Sequence, residues 1–195
     1  RQMCIRDRCT SMAPKMKDYF NAETAQKLGA QLGIDGEEYA AWVAPRVEGL
    51  EILDRVTVFA QGLRERLEGD YVEMVGGVVE KLGPELAEGE GYFNHAFHLW
   101  PVSRFIELYG VDDPEVSLDA IEALTRVFTG EFAVRPFLDR YPALTMSRVH
   151  QWAGSDSHNV RRLASEGIRP RLPWAKVYTP FVAVSYTHLR AHETL

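Results

Sequence analysis

Between residues 50 and 67 the apolar side chains Leu53, Val56, Phe59, Ala60, Leu63 and Leu67 fall three and four apart, the spacing that places them on one face of an α-helix. The same spacing recurs along almost the whole chain. Residues 18–32 carry it through Phe20, Ala25, Leu28 and Leu32, and Gly33 supplies the stop. Residues 37–47 predict a second helix. Asp70 caps another that reaches residue 82 through Tyr71, Met74, Val78 and Val79, with Gly83 and Pro84 closing it. Residues 85–91 are acidic and turn-rich and read as a loop. Tyr92, Phe93, Phe97, Trp100 and Phe105 crowd the next stretch, which becomes helical over 101–109. Asp113 and Pro114 then open a succession of four predicted helices, 118–128, 131–141, 142–153 and 157–167, separated by loops of a few residues. No alternating apolar and polar runs bounded by hairpin signals occur, so the predicted class is all-α.

Amphipathic helices joined by short loops suggest a stack of helical repeats, because each pair buries its apolar face only against the next. Asp156, Val160, Arg161 and Ala164 resemble the D-x-x-x-V-R-x-x-A second helix of a HEAT repeat, in which the arginine is structural. Glu131 with Arg135-Pro136 recurs as Glu166 with Arg169-Pro170, about one such unit later and one residue out of step. The expected architecture is a right-handed α-solenoid of HEAT-like repeats.

Both ends read as foreign. VSYTHLRAHET, from Val184 to Thr194, is what a sequencing adaptor encodes, and MCIRDR, from Met3 to Arg8, fits the opposite strand of the same adaptor. We therefore expect residues 1–11 to be a non-native leader, 12–183 the repeat domain, cut short at its C-terminal side, and 184–195 a non-native tail. Both cysteines, Cys4 and Cys9, precede Met12. The domain proper then has no disulfide framework, thiolate metal site or cysteine nucleophile. No apolar run is long enough to span a bilayer and no signal-peptide core precedes the domain, so a cytoplasmic location without membrane attachment is expected.

Charge is distributed unevenly. Residues 19–140 hold ten Lys and Arg against twenty-three Asp and Glu, a net of −13, whereas residues 141–183 hold six against two, a net of +4. The basic excess centres on residues 158–174, where Arg161, Arg162, Arg169 and Arg171 surround the carboxylate of Glu166. Arg162 and Glu166 stand four apart and are expected side by side on the polar face of the last helix. Gly167 should end that helix, Pro170 and Pro173 should keep the next residues extended, and Trp174 closes the segment. Such a set can bind an anion, stabilise a cation or stack against a ring. The plainer alternative is a solvated ion pair beside a core tryptophan. Trp100 and Trp152 are expected in the core. The histidines show no ligand spacing, so no metal site is assigned.

The strings FTGEFAVRPFL (128–138) and NVRRLASEGIRPRLPWA (159–175) resemble the AlkC branch of the AlkC/AlkD alkylpurine DNA glycosylases. KDYFNAETAQKLGAQL (17–32) is similar to that family's opening, and FHLWPVSRFIELYG (97–110) to its aromatic helix. The resemblance implies a helical solenoid whose concave face holds alkylated double-stranded DNA. It also implies a monomeric, monofunctional glycosylase that hydrolyses the N-glycosidic bond of bases such as 3-methyladenine, without metal or organic cofactor. A base already cationic at N3 leaves readily, so the protein's share is to stabilise charge on the sugar and to position water, which two carboxylates can do. On this reading Glu131 and Glu166 are the catalytic pair, and Arg135, Arg162, Arg169, Arg171 and Trp174 contact substrate or DNA. Family chains continue with further repeats, so the sequence as given is expected to be weakly active or inactive. The alternative reading is a non-catalytic HEAT-repeat scaffold for protein interactions, favoured by the acidic first part.

Overall fold

Helices occupy nearly every segment with the apolar spacing in the computed structural model, which describes residues 15–88, 90–91, 95–173 and 177–178. A 3-10 turn at Met16–Tyr19 leads into α1 (Ala22–Leu32), α2 (Gly36–Val47), α3 (Ile52–Arg66) and α4 (Tyr71–Val79). A second 3-10 turn, Phe97–Leu99, runs into α5 (Trp100–Tyr109). There follow α6 (Pro114–Thr125), α7 (Arg135–Arg140), α8 (Pro142–Ala153) and α9 (His158–Glu166), and the described residues include no strand.

Caps set several of the boundaries. Asn21 Oδ1 accepts from the Thr24 backbone N–H at 3.1 Å, which starts α1 at Ala22 and splits the single helix predicted over 18–32. Gly33, at φ 73°, takes the left-handed conformation that ends it. Asp70 and Glu73 form a reciprocal capping box at the head of α4. The largest departure is at residues 131–141, expected to be helical throughout. Residues 131–134 form turns, and α7 begins only at Arg135 with Pro136 in its first turn. Proline fits the first turn of a helix but has no N–H to give to a carbonyl one turn back, so the regular helix starts beside it instead of running through from Glu131.

Packing follows a layered pattern. Gly29 on α1 and Gly36 on α2 let those helices cross closely, since a Cβ on Gly29 would stand 2.8 Å from the Gly36 Cα. Further along, α3 packs on α5, α4 on α6, and α6 on α8 and α9, so helices touch partners two or three elements ahead as well as their sequence neighbours. This is the contact pattern of stacked helix pairs, and the fold is an all-α solenoid of HEAT-like repeats. A continuous core links the layers. Trp100 and Trp152 are both in it, at 3% and 1% exposure. Phe20 sits at its first end, edge-on to Phe59 and Trp100. Trp152 fills the other end and donates from Nε1 to Glu122 Oε2 at 3.0 Å.

Candidate active site

Glu131 lies in the turn between α6 and α7, and two close approaches fix that turn. Gly130 rests on α6 so tightly that a Cβ there would meet Ile121 Cγ2 at 2.6 Å and Thr125 Oγ1 at 2.7 Å. Gly167, at the end of α9, is buried with room for a Cβ only 3.3 Å from Val134 Cγ1. The end of α9 therefore abuts the turn that carries Glu131. Gly167 ends α9 as expected, with right-handed backbone at φ −60°, and this close contact accounts for its place.

Across that junction Arg162 Nη1 stands 3.0 Å from Glu131 Oε1. The pair is at contact distance but lacks the alignment of a hydrogen bond, and the enclosed Oε1 accepts none from the described residues. The Arg162 side chain is 34% exposed and that of Glu131 10%, so the carboxylate lies beneath the guanidinium. Glu166, one helical turn beyond Arg162, pairs with Arg169 at 2.7 Å. The expected side-by-side Arg162–Glu166 pair is thus replaced by two others, because the fold brings Glu131 to Arg162 and the chain turns back after Gly167 to bring Arg169 to Glu166.

The remaining residues divide. Arg171 is exposed beyond the helix end. Trp174 lies outside the described residues. Tyr178 returns the chain to α7, donating from its hydroxyl to the Leu138 carbonyl at 3.2 Å. Arg161 donates from Nη1 to the carbonyls of Ser155 and Asp156 at 2.7 and 2.8 Å, a structural tie across the turn before α9. Arg135, expected to contact DNA, is only 3% exposed and its guanidinium is enclosed, so it offers no surface to a backbone phosphate. Burial pulls its pKa down, opposed by the nearby carboxylates of Glu131 and Asp139. Phe132 carries no chemical signal in the sequence, yet its ring stacks on Trp100 at 5.3 Å and anchors the residue next to Glu131 in the aromatic core. Among the described residues no group of three or more His, Cys, Asp or Glu is arranged to hold a metal ion.

The fold and this junction together define an AlkC-like helical solenoid with paired carboxylates and arginines at one end of the described helices. It is similar to the alkylpurine DNA glycosylase AlkC of Pseudomonas fluorescens, solved bound to DNA containing an abasic site analogue, with a TM-score of 0.73 and 26% identity. That likeness covers 88% of this chain and 47% of the solved one. In sequence the chain is 37% identical over 132 residues to YhaZ, an uncharacterized protein of Bacillus subtilis (strain 168), a match covering 68% of this chain and 34% of YhaZ. The chain thus spans about half the length of the solved neighbour and about a third of the curated relative. No protein-family model matches it.

Proposed function

We propose that these residues belong to a DNA base-excision glycosylase that hydrolyses the N-glycosidic bond of N3-alkylated bases such as 3-methyladenine in duplex DNA. The observation that carries the reading is the junction itself: Glu131, Arg162 and Glu166 on two elements held in register by Gly130 and Gly167. The neighbour solved with an abasic-site DNA analogue supports DNA as the partner.

The chemistry suits two carboxylates. As the bond between C1′ and the base breaks, its electron pair goes to the ring and neutralises the alkylated base, and positive charge grows on the sugar. A carboxylate facing the sugar lowers the energy of that cation, and a second can hold the water whose oxygen bonds to C1′ and whose proton is then released. Glu131 and Glu166 take these roles. Arg162, Arg169 and Arg171 bind flanking phosphates, and Trp174 packs against the substrate.

The test is chromatographic detection of free 3-methyladenine from methylated duplex DNA incubated with the full-length natural protein that carries this sequence. Release well above the spontaneous rate is expected, and release at the spontaneous rate ends the reading. The net −13 of residues 19–140 favours a second reading, a protein-binding scaffold. Duplex affinity that falls steeply with salt argues against that scaffold.

A further inference from the structure

Arg135 opens α7 with 3% of its surface exposed, and among the described residues its enclosed Nε, Nη1 and Nη2 find no hydrogen-bond acceptor. A guanidinium does not discharge at neutral pH, so a full charge sits where it is poorly solvated. Replacing such an ion with an apolar side chain of similar volume is often neutral or stabilising, so stability alone does not explain its presence. Its electrostatic neighbours are Glu131, four residues earlier in the turn, and Asp139, one turn along α7. Glu131 also meets Arg162 at 3.0 Å. Two cations thus bear on one carboxylate: Arg162 touches it and is partly exposed, and Arg135, four residues along the chain, is enclosed.

We infer that Arg135 is the positioning residue of this site, holding Glu131 in place by charge from within the fold rather than touching DNA. This rests on the role given to Glu131 above. The division of labour between the two arginines follows from their exposure. A partly exposed Arg162 can be drawn to a backbone phosphate when DNA binds, which weakens its hold on Glu131. Arg135 has no path to a phosphate and stays where it is, so Glu131 keeps one fixed counter-charge and one direction throughout the reaction.

The experiment uses Arg135→Met, Arg135→Lys, Glu131→Gln and the Arg135→Met/Glu131→Gln double variant of the full-length natural protein. Three quantities are read: thermal stability, base-release kinetics and the salt dependence of duplex affinity. For Arg135→Met we expect kcat to fall about a hundredfold with KM unchanged, the scale on which displacing a catalytic group acts. The salt slope should also be unchanged, and Arg135→Lys, which keeps the charge, should stay within about tenfold of wild type. In thermal stability the Arg135→Met and Glu131→Gln effects should be non-additive, as for coupled residues. A raised KM with a salt slope shallower by about 0.9, the share of one phosphate, makes Arg135 a DNA contact and overturns the inference. Additive stability effects overturn it too, as does an Arg135→Lys variant no better than Arg135→Met. If Arg135→Met does not fold, Arg135→Lys decides: retained kcat at unchanged KM supports the inference, and a loss as deep as that of Glu131→Gln ends it. If the wild-type protein releases no base, the glycosylase reading fails separately, and the stability cycle still decides whether Arg135 and Glu131 are coupled.

Discussion

Arg162 on α9 pairs with Glu131 in the turn before α7 at 3.0 Å, a contact between residues thirty-one positions apart that ties the last described helix to the turn bearing the carboxylate. Removing the cation leaves a carboxylate oxygen that already accepts no hydrogen bond more nearly alone. Arg162→Gln is expected to lower unfolding free energy by about 1–2 kcal/mol, the scale for a partly buried charged contact. Urea denaturation of both proteins at matched salt measures it, and an unchanged midpoint contradicts it.

Gly130 offers a way to disturb the site without touching its chemistry. A methyl group there would lie 2.6 Å from Ile121 Cγ2 and 2.7 Å from Thr125 Oγ1, so the turn must lift away from α6 and carry Glu131 with it. Gly130→Ala should cost about 1–3 kcal/mol by overpacking. Base release should fall more than duplex affinity does, as comparison of single-turnover rates with equilibrium binding will reveal.

Arg169 and Arg171 face solvent beyond α9, where the local charge is basic. Replacing both with Ala should weaken duplex binding and flatten the plot of log affinity against log salt by about two phosphate contacts, or roughly 1.8 in slope. Fluorescence anisotropy across a salt series is the measurement. A parallel plot would place the phosphate contacts elsewhere.

His98 gives the fold an acid limit. It is 5% exposed, Nε2 is 2.7 Å from Gln31 Oε1, and burial, helped by the charge of Lys27, pushes its pKa down to about 4. The unfolded chain protonates this ring near its ordinary value of about 6.5, whereas the folded chain holds off until about 4. Through that window the unfolded state binds more protons, so stability falls as pH drops, by about 1.4 kcal/mol per unit at most and about 3 kcal/mol in all. His98→Gln should flatten the dependence of melting temperature on pH between 6.5 and 4. A variant that follows the wild-type curve would contradict this.

The helices were legible because their spacing is local: each apolar face can be counted off the chain, and Asp70 and Ser157 mark their starts in the residues themselves. What could not be read depends on approach in space. The apolar residues of 131–141 count as a helix, yet Pro136 delays its start and Gly130 presses the turn onto α6. Arg162 and Glu166 have helical spacing for a pair, yet each has its ionic partner elsewhere, since tertiary packing outweighs the few tenths of a kcal/mol such a local pair contributes. Arg135 looks like any surface arginine four residues from a glutamate, and only packing reveals that it is enclosed.

The proposed catalysis depends on Glu131 acting upon the sugar once DNA is bound. The most direct measurement is the single-turnover rate of 3-methyladenine release by Glu131→Gln, beside wild type, with binding to an abasic-site duplex recorded for both. Retained binding is expected, with release slower by about a hundredfold or more. Release at the wild-type rate by a folded Glu131→Gln protein would contradict it.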